Sequence, residues 1–426
     1  MDISSLTGGA PKQEKPAIEY VAQVVSPIVN GEAKLAVNDK SFTIVALFDA
    51  AEIPFAEINE LSLVDYVVTV NADSGEYRFA KMGSWCQPFY DALCDAYNKA
   101  VLRSLFVTGN PMITAKGGYS FAEPGAAANG SAPVQLYEDS VVVLPPDLSA
   151  RRVPLCFVSG MDKGDYELTL KLDTGENYTF AKLGYDTAPF AEGIEKTLRN
   201  LREQALAAVK GLDYNLTTAQ ASQIAKLMPK GAAAPLGALT EIAPSFAAAL
   251  EEKIDATRAA ESYKAFKELC DPAQIYIGFR KNEAATGDEG SMDLLGNICE
   301  NLLGEETADD AQIVNADSEI LWMIAPSPEG QYAAVEFAEA DTATFVYRTG
   351  GDFAAFARQL NRALEAINFK REVIRLTDEE LKKPENADYY MAAKRTAALQ
   401  FVRKNFVGRV IHSSAEIWKR KLIEYF

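Results

Sequence analysis

Asp65, Tyr66, Thr69, Asp73, Gly75 and Glu76 recur 100 residues later as Asp165, Tyr166, Thr169, Asp173, Gly175 and Glu176. One inserted residue then shifts the register. Tyr77, Phe79, Ala80, Lys81, Gly83, Pro88 and Phe89 recur as Tyr178, Phe180, Ala181, Lys182, Gly184, Pro189 and Phe190. Solenoid units run to roughly 20–50 residues, so a repeat of this length is a duplicated domain. Whatever one copy folds into, the other must fold into as well.

Tyr66, Val68 and Val70 alternate with polar neighbours, which predicts a half-buried strand. Asp73-Ser74-Gly75 predicts a turn, because glycine accepts positive φ at little steric cost. Tyr77 to Met82 is then the returning strand of a hairpin. Ile18 to Val25 and Phe42 to Phe48 are further strand candidates. Pro88 suits the first turn of a helix, where no backbone donor is needed. From there Phe89, Leu93, Tyr97, Val101 and Leu105 make one apolar stripe.

Copy two predicts the same elements: strands at Met112 to Phe121, Val134 to Tyr137, Val141 to Leu144 and Val153 to Val158, then a hairpin at Asp173-Thr174-Gly175. Its closing helix carries Phe190, Ile194, Leu198 and Leu201. The Gly- and Ala-rich stretch from Glu123 to Ala132 reads as a mobile loop. Asp65-Tyr66 and Asp165-Tyr166 read as strand entries with the ring at the edge of the core. Glu76 and Glu176 read as exposed strand starts.

The 426 residues leave room for about three domains. Residues 1–16 read as a disordered tail, 17–110 as the first copy and 111–211 as the second. Residues 212–271 form an Ala-rich helical connector broken at Gly231 to Gly237, 272–375 a third α+β unit, and 376–426 a helical tail. In the third unit, strands at Ile275 to Ile277, Ile320 to Ala325, Ala333 to Phe337 and Thr344 to Tyr347 precede a helix through Phe356, Leu360 and Leu364. An amphipathic insert surrounds Leu294, Ile298 and Leu303. Strands followed by one helix echo the first two copies, so a degenerate third copy and an unrelated unit are both open. Met391 to Phe401 and Ser414 to Tyr425 are terminal helices.

The formal net charge is −18. Such a surface repels nucleic acid and anionic lipid, and no nucleic-acid partner is expected. Only the stretch from Lys370 to Phe426 is basic, with Lys394, Arg395, Arg403 and Lys404 read as solvated helix faces. Cys86, Cys94, Cys156, Cys270 and Cys299 are odd in number and form no C-x-x-C pair. Neither a disulfide framework nor a zinc site is suggested, and a reducing compartment fits. No apolar run approaches the roughly 18 residues that span a bilayer. Met1 to Pro16 lacks a signal-peptide pattern. The expectation is a cytoplasmic protein without a cofactor, without a metal and without integral membrane association.

His412 is the single histidine, so serine- or cysteine-histidine catalysis would run through it. Its place in Ile411-His412-Ser413-Ser414 reads instead as the neighbour of a serine helix cap. There is no Walker loop and no G-x-G-x-x-G. An enzyme using carboxylates of the third unit would need a deep pocket holding two or more acidic residues around Glu336 to Asp341, although Glu336 between Val335 and Phe337 reads as an exposed strand face. Arg151-Arg152 reads as a grip for a carboxylate on a partner or a neighbouring domain. Copy one has Ala51-Glu52 there, so the two copies are expected to face each other through complementary charges.

Several strands, a hairpin with a Gly turn and one C-terminal helix bearing Phe89 or Phe190: this order resembles the pleckstrin-homology-like superfold. The resemblance covers roughly half the chain. It implies an α+β protein in which two orthogonal β-sandwich or barrel domains are each capped by a C-terminal helix. It also implies two modes of binding. Inositol phosphates would need several convergent cations, but the first hairpin, Val25 to Leu35, offers Lys34 against Glu32, and copy two offers Lys116. The other mode adds a peptide strand beside the last strand and the helix. The expectation is therefore a non-catalytic scaffold for a protein or peptide, bound near Tyr77, Phe79 and Lys81 or Tyr178, Phe180 and Lys182. The alternatives are a lipid-headgroup binder and a carboxylate enzyme.

Overall fold

The computed structural model describes residues 19–281, 319–338 and 343–426. The N-terminal tail, the insert around Leu294, Ile298 and Leu303, Cys299 and Asp341 lie outside the described residues. The fold is α+β with antiparallel sheets. Packing divides the chain into two compact units: one runs to Leu102 and takes in Pro146–Leu148, and the other comprises Arg103–Pro145 and Ser149–Phe426.

The first unit is a seven-stranded sheet of β1 (Glu19–Val25), β2 (Asn30–Val37), β3 (Ser41–Val45), β4 (Ala50–Pro54), β5 (Ile58–Val64), β6 (Val67–Ala72) and β7 (Gly75–Ala80). The order is β4-β3-β2-β1-β7-β6-β5. Helix α1 (Cys86–Ser104) follows. Its apolar stripe is buried as the spacing requires: Phe89, Leu93, Tyr97 and Val101 lose all exposure. Phe89 meets Phe79 at 5.7 Å between ring centroids, and Phe79 meets Phe42 at 5.8 Å. Asp65 and Tyr66 are not strand entries. They form a two-residue turn between β5 and β6 with φ of 50° and 59°, the left-handed geometry that suits the twist of a hairpin, and Tyr66 points into solvent.

The second unit opens with the other copy: β8 (Ile113–Glu123), β9 (Ala126–Leu136), β10 (Ser140–Val143), β11 (Arg151–Pro154), β12 (Val158–Lys163), β13 (Glu167–Leu172), β14 (Asn177–Ala181) and α2 (Thr187–Leu212). The strand order, β11-β10-β9-β8-β14-β13-β12, repeats the first. Phe180 and Phe190 meet at 5.9 Å, as Phe79 and Phe89 do. The stretch expected as a loop is instead the tip and most of the second strand of a long hairpin, in which β8 and β9 pair from Ile113↔Leu136 to Glu123↔Ala126. Small side chains do not break a ladder made of backbone groups. Tyr166, like Tyr66, is exposed at a hairpin tip.

The connector folds as α3 (Thr218–Leu227), β15 (Ala234–Pro235), α4 (Leu236–Ile242), α5 (Pro244–Asp255) and α6 (Ala260–Leu269). Thr217 and Gln220 cap α3 reciprocally. The third sheet then adds β16 (Tyr276–Lys281), β17 (Glu319–Pro326), β18 (Tyr332–Phe337), β19 (Ala343–Arg348) and β20 (Phe406–Ile411). Its described strands run in simple sequence, β15 to β20, an order unlike that of the two copies. Between β19 and β20 lie α7 (Phe353–Ala366), α8 (Glu372–Arg375), α9 (Asp378–Leu381), α10 (Ala387–Arg395) and α11 (Ala397–Asn405); α12 (Ala415–Ile423) ends the chain.

Helices cover both faces of this third sheet. Ile277, Met323 and Val346 pack with Phe246, Leu250, Phe266 and Trp418, while Trp322, Val335 and Tyr347 pack with Phe356, Leu360 and Leu399. Strands buried on both faces read as continuous apolar runs rather than alternations. For the same reason Glu336, expected on an exposed face, is 1% exposed. The basic tail is also less solvated than its charge suggests, because Arg395 is buried on α10.

Candidate functional site

A sheet accepts a further strand only at an edge, where backbone groups lack a ladder partner. The last strand of each copy is interior. β7 pairs with β1 and β6, and β14 with β8 and β13. Tyr77, Phe79, Tyr178 and Phe180 are buried in the cores, so they hold the fold and offer no docking surface. Lys81 and Lys182 are exposed and turn the chain towards the helix with φ of 57° and 56°. The edges are instead β4 and β5 in the first sheet and β11 and β12 in the second.

The β5 edge is already occupied. The Leu61 N–H donates to the Pro146 carbonyl at 2.8 Å, and Glu60 forms an antiparallel bridge with Asp147. From α1, the Tyr97 hydroxyl donates to the Asp147 carbonyl at 3.3 Å. Pro146–Leu148 thus packs with the first unit, although by sequence it belongs to the connection between β10 and β11. With this short segment in place Leu61 is 2% exposed and Tyr97 is fully buried.

The β12 edge is the counterpart. Met161 pairs with Leu170 as Leu61 pairs with Val70, and both strands bulge two residues earlier. The N–H of Met161 therefore faces outwards as that of Leu61 does. Among the described residues no backbone donor or acceptor pairs with this outer edge. Val158 and Met161 on this strand, and Ala191 and Leu201 on α2, pack on the core of this copy yet stay only half-buried. Lys163 and Glu195, 2.5 Å apart, link the strand to α2 at the surface. The strand edge is thus unpaired among the described residues, and Lys163 and Glu195 tie it to α2.

Arg151 and Arg152 lie on β11, both buried. Arg152 donates to Glu365 on α7 at 2.7 Å and to Asp139 at 2.8 Å. Lys230 also donates to Asp139. Arg362 on α7 donates from Nε to both oxygens of Glu176, at 3.2 and 3.1 Å. Arg151 donates to both oxygens of Glu123 and stacks over Phe121 at 4.4 Å. The Tyr178 hydroxyl donates to Glu123 at 2.7 Å. The expected grip on a neighbouring carboxylate is thus made to α7 of the third unit. Glu52, the residue expected to face it, accepts from Ser41 instead.

Glu176, expected at the surface, is 3% exposed within this cluster. The Nε–H of Arg362, shared between both oxygens of Glu176, offsets part of the loss of hydration that burial imposes. Burial works against the charge on Asp139, but Arg152 and Lys230 outweigh it and hold the carboxyl well below the usual carboxylate range. The cavity lined by Glu123, Arg151, Arg152, Glu176 and Arg362 is about 10 Å³, room for about one water. The cluster is a clamp and not a substrate chamber.

His412 Nε2 lies 3.1 Å from Glu336 Oε1 and 3.1 Å from Thr344 Oγ1. Trp418 Nε1 donates to the same hydroxyl at 2.8 Å. Thr344 is fully buried, so this constellation fixes α12 against the sheet, and Ser414 caps that helix. Burial pushes the Cys94 and Cys270 thiols up to about 11 and Cys156 further still, whereas a catalytic cysteine needs a depressed value. Among the described residues no group of His, Cys, Asp and Glu could hold a metal ion, and no helix is long and apolar enough to cross a membrane. No protein-family model matches the sequence, and no curated protein matches it either.

Proposed function

We propose that this is a non-catalytic binding protein that takes an extended protein segment as an added strand on the outer edge of β12, beside α2. One observation carries the reading: the equivalent edge of the first copy pairs with Pro146–Leu148, while that of the second copy has no backbone partner among the described residues. Main-chain pairing would supply affinity and the apolar side chains of Met161 and Leu201 would supply selectivity. The accompanying fold reading is a pair of pleckstrin-homology-like domains. The repeated strand order and the helix seated by Phe89 or Phe190 support it.

The test uses the full chain and a labelled peptide of the sequence Val143–Ser149, the stretch that contains the occupant of the first edge. Saturable binding that slows amide exchange at Met161, and that Met161→Asp abolishes without altering the far-ultraviolet spectrum, supports the reading. Absence of binding, or binding untouched by Met161→Asp, overturns it.

A further inference from the structure

The two copies use one docking relationship once and leave both halves of it over. In copy two, the connection between β10 and β11 supplies Pro146–Leu148 to the β5 edge. Its counterpart in copy one is the connection between β3 and β4. There the chain makes a tight turn, with the Ala46 N–H donating to the Asp49 carbonyl at 2.8 Å. The apex residues Leu47 and Phe48 are 85% and 90% exposed. Two large adjacent apolar side chains at a hairpin tip are costly to hold in water. Each chain therefore carries one donor tip and one acceptor edge, β12, without a partner among the described residues.

We infer that the occupant of the β12 edge is the β3–β4 tip of a second copy of this chain. This rests on the strand-addition reading above. The chemistry agrees: Leu47 and Phe48 are apolar, as are the half-buried Val158 and Met161 of β12 and Ala191 and Leu201 of α2. The tip ends in the exposed Asp49, and Arg199 is exposed on α2. Donor and acceptor are different patches, so the contact is heterologous. It builds head-to-tail rings or open chains and not a two-fold dimer.

Sedimentation velocity of the full chain over a range of concentrations tests this. The wild type is expected to form a concentration-dependent series of assemblies. Leu47→Asp with Phe48→Asp should weaken association at least about tenfold, the scale of losing a buried aromatic anchor, and so should Met161→Asp with Leu201→Asp. An equimolar mixture of these two variants retains one intact contact, so it should give a dimer and nothing larger. Circular dichroism checks that each variant folds, and the exposed tip makes the first pair the safer one. A wild type that stays monomeric overturns the inference; if the Val143–Ser149 peptide still binds at Met161, the strand-addition reading survives without it. Association lost on changing the tip but unaffected at Met161 and Leu201 would overturn the inference as well.

Discussion

The Leu61 N–H and the Pro146 carbonyl meet at 2.8 Å, so a loop that follows the tenth strand closes the edge of the first sheet. The counterpart amide, at Met161, has no such partner among the described residues. Hydrogen exchange should separate the two. Leu61 is expected to exchange only through opening of the structure, and Met161 at a rate near that of an exposed strand edge. Equal protection at both positions would mean that the second edge is covered.

Arg362 and Glu176 are both buried and pair through two contacts. Arg362→Met leaves the carboxylate buried without its cation, which should cost about 3–5 kcal/mol in urea unfolding. Adding Glu176→Leu should restore much of that loss, because an apolar pair needs no compensation. A single variant that loses under about 1 kcal/mol would show that water reaches the pair.

Asp139 gives a pH signature. Its folded carboxyl titrates below its unfolded value, held there by Arg152 and Lys230. The stabilisation is present above the unfolded value, near pH 4, and is lost as pH falls towards the folded one. Asp139→Asn should flatten that part of the acid limb. Arg152→Glu, which sets a third carboxylate beside Asp139 and Glu365, should lower the melting temperature at neutral pH, and an unchanged melting curve would contradict the clamp.

Gly278 on β16 faces the indole of Trp322 on β17, and a Cβ built there would lie 2.2 Å from the ring. Trp322 is fully buried. Gly278→Ala should therefore cost about 1–3 kcal/mol or more through overpacking, seen as a lower urea midpoint. No change would mean that the ring can shift at little cost.

Local chemistry was legible wherever side chains alone decide the outcome. The spacing of Phe89, Leu93, Tyr97 and Val101 predicted a helix with one buried face, and the two Gly turns predicted hairpins. The pairing of β1 with β7 joins residues more than fifty apart and leaves no local mark. Glu76 and Glu176 occupy one motif, yet only the second is buried, because Arg362 lies on a helix that the motif does not contain. The docking edges were least legible of all. Strand addition uses backbone groups that every residue possesses, so nothing in Met161 or Pro146 announces it. The exposed Leu47-Phe48 pair was the available signal, hidden because apolar residues in a strand region suggest a core.

The loop that seals β5 also makes the first copy dependent on its neighbour. A fragment ending after α1 would lack Pro146–Leu148 and present a raw strand margin, the kind of template on which chains stack into insoluble aggregates. The safeguard is thus three residues long: Pro146–Leu148 shields the first sheet, and cutting the chain before them would trade a covered strand for a sticky one.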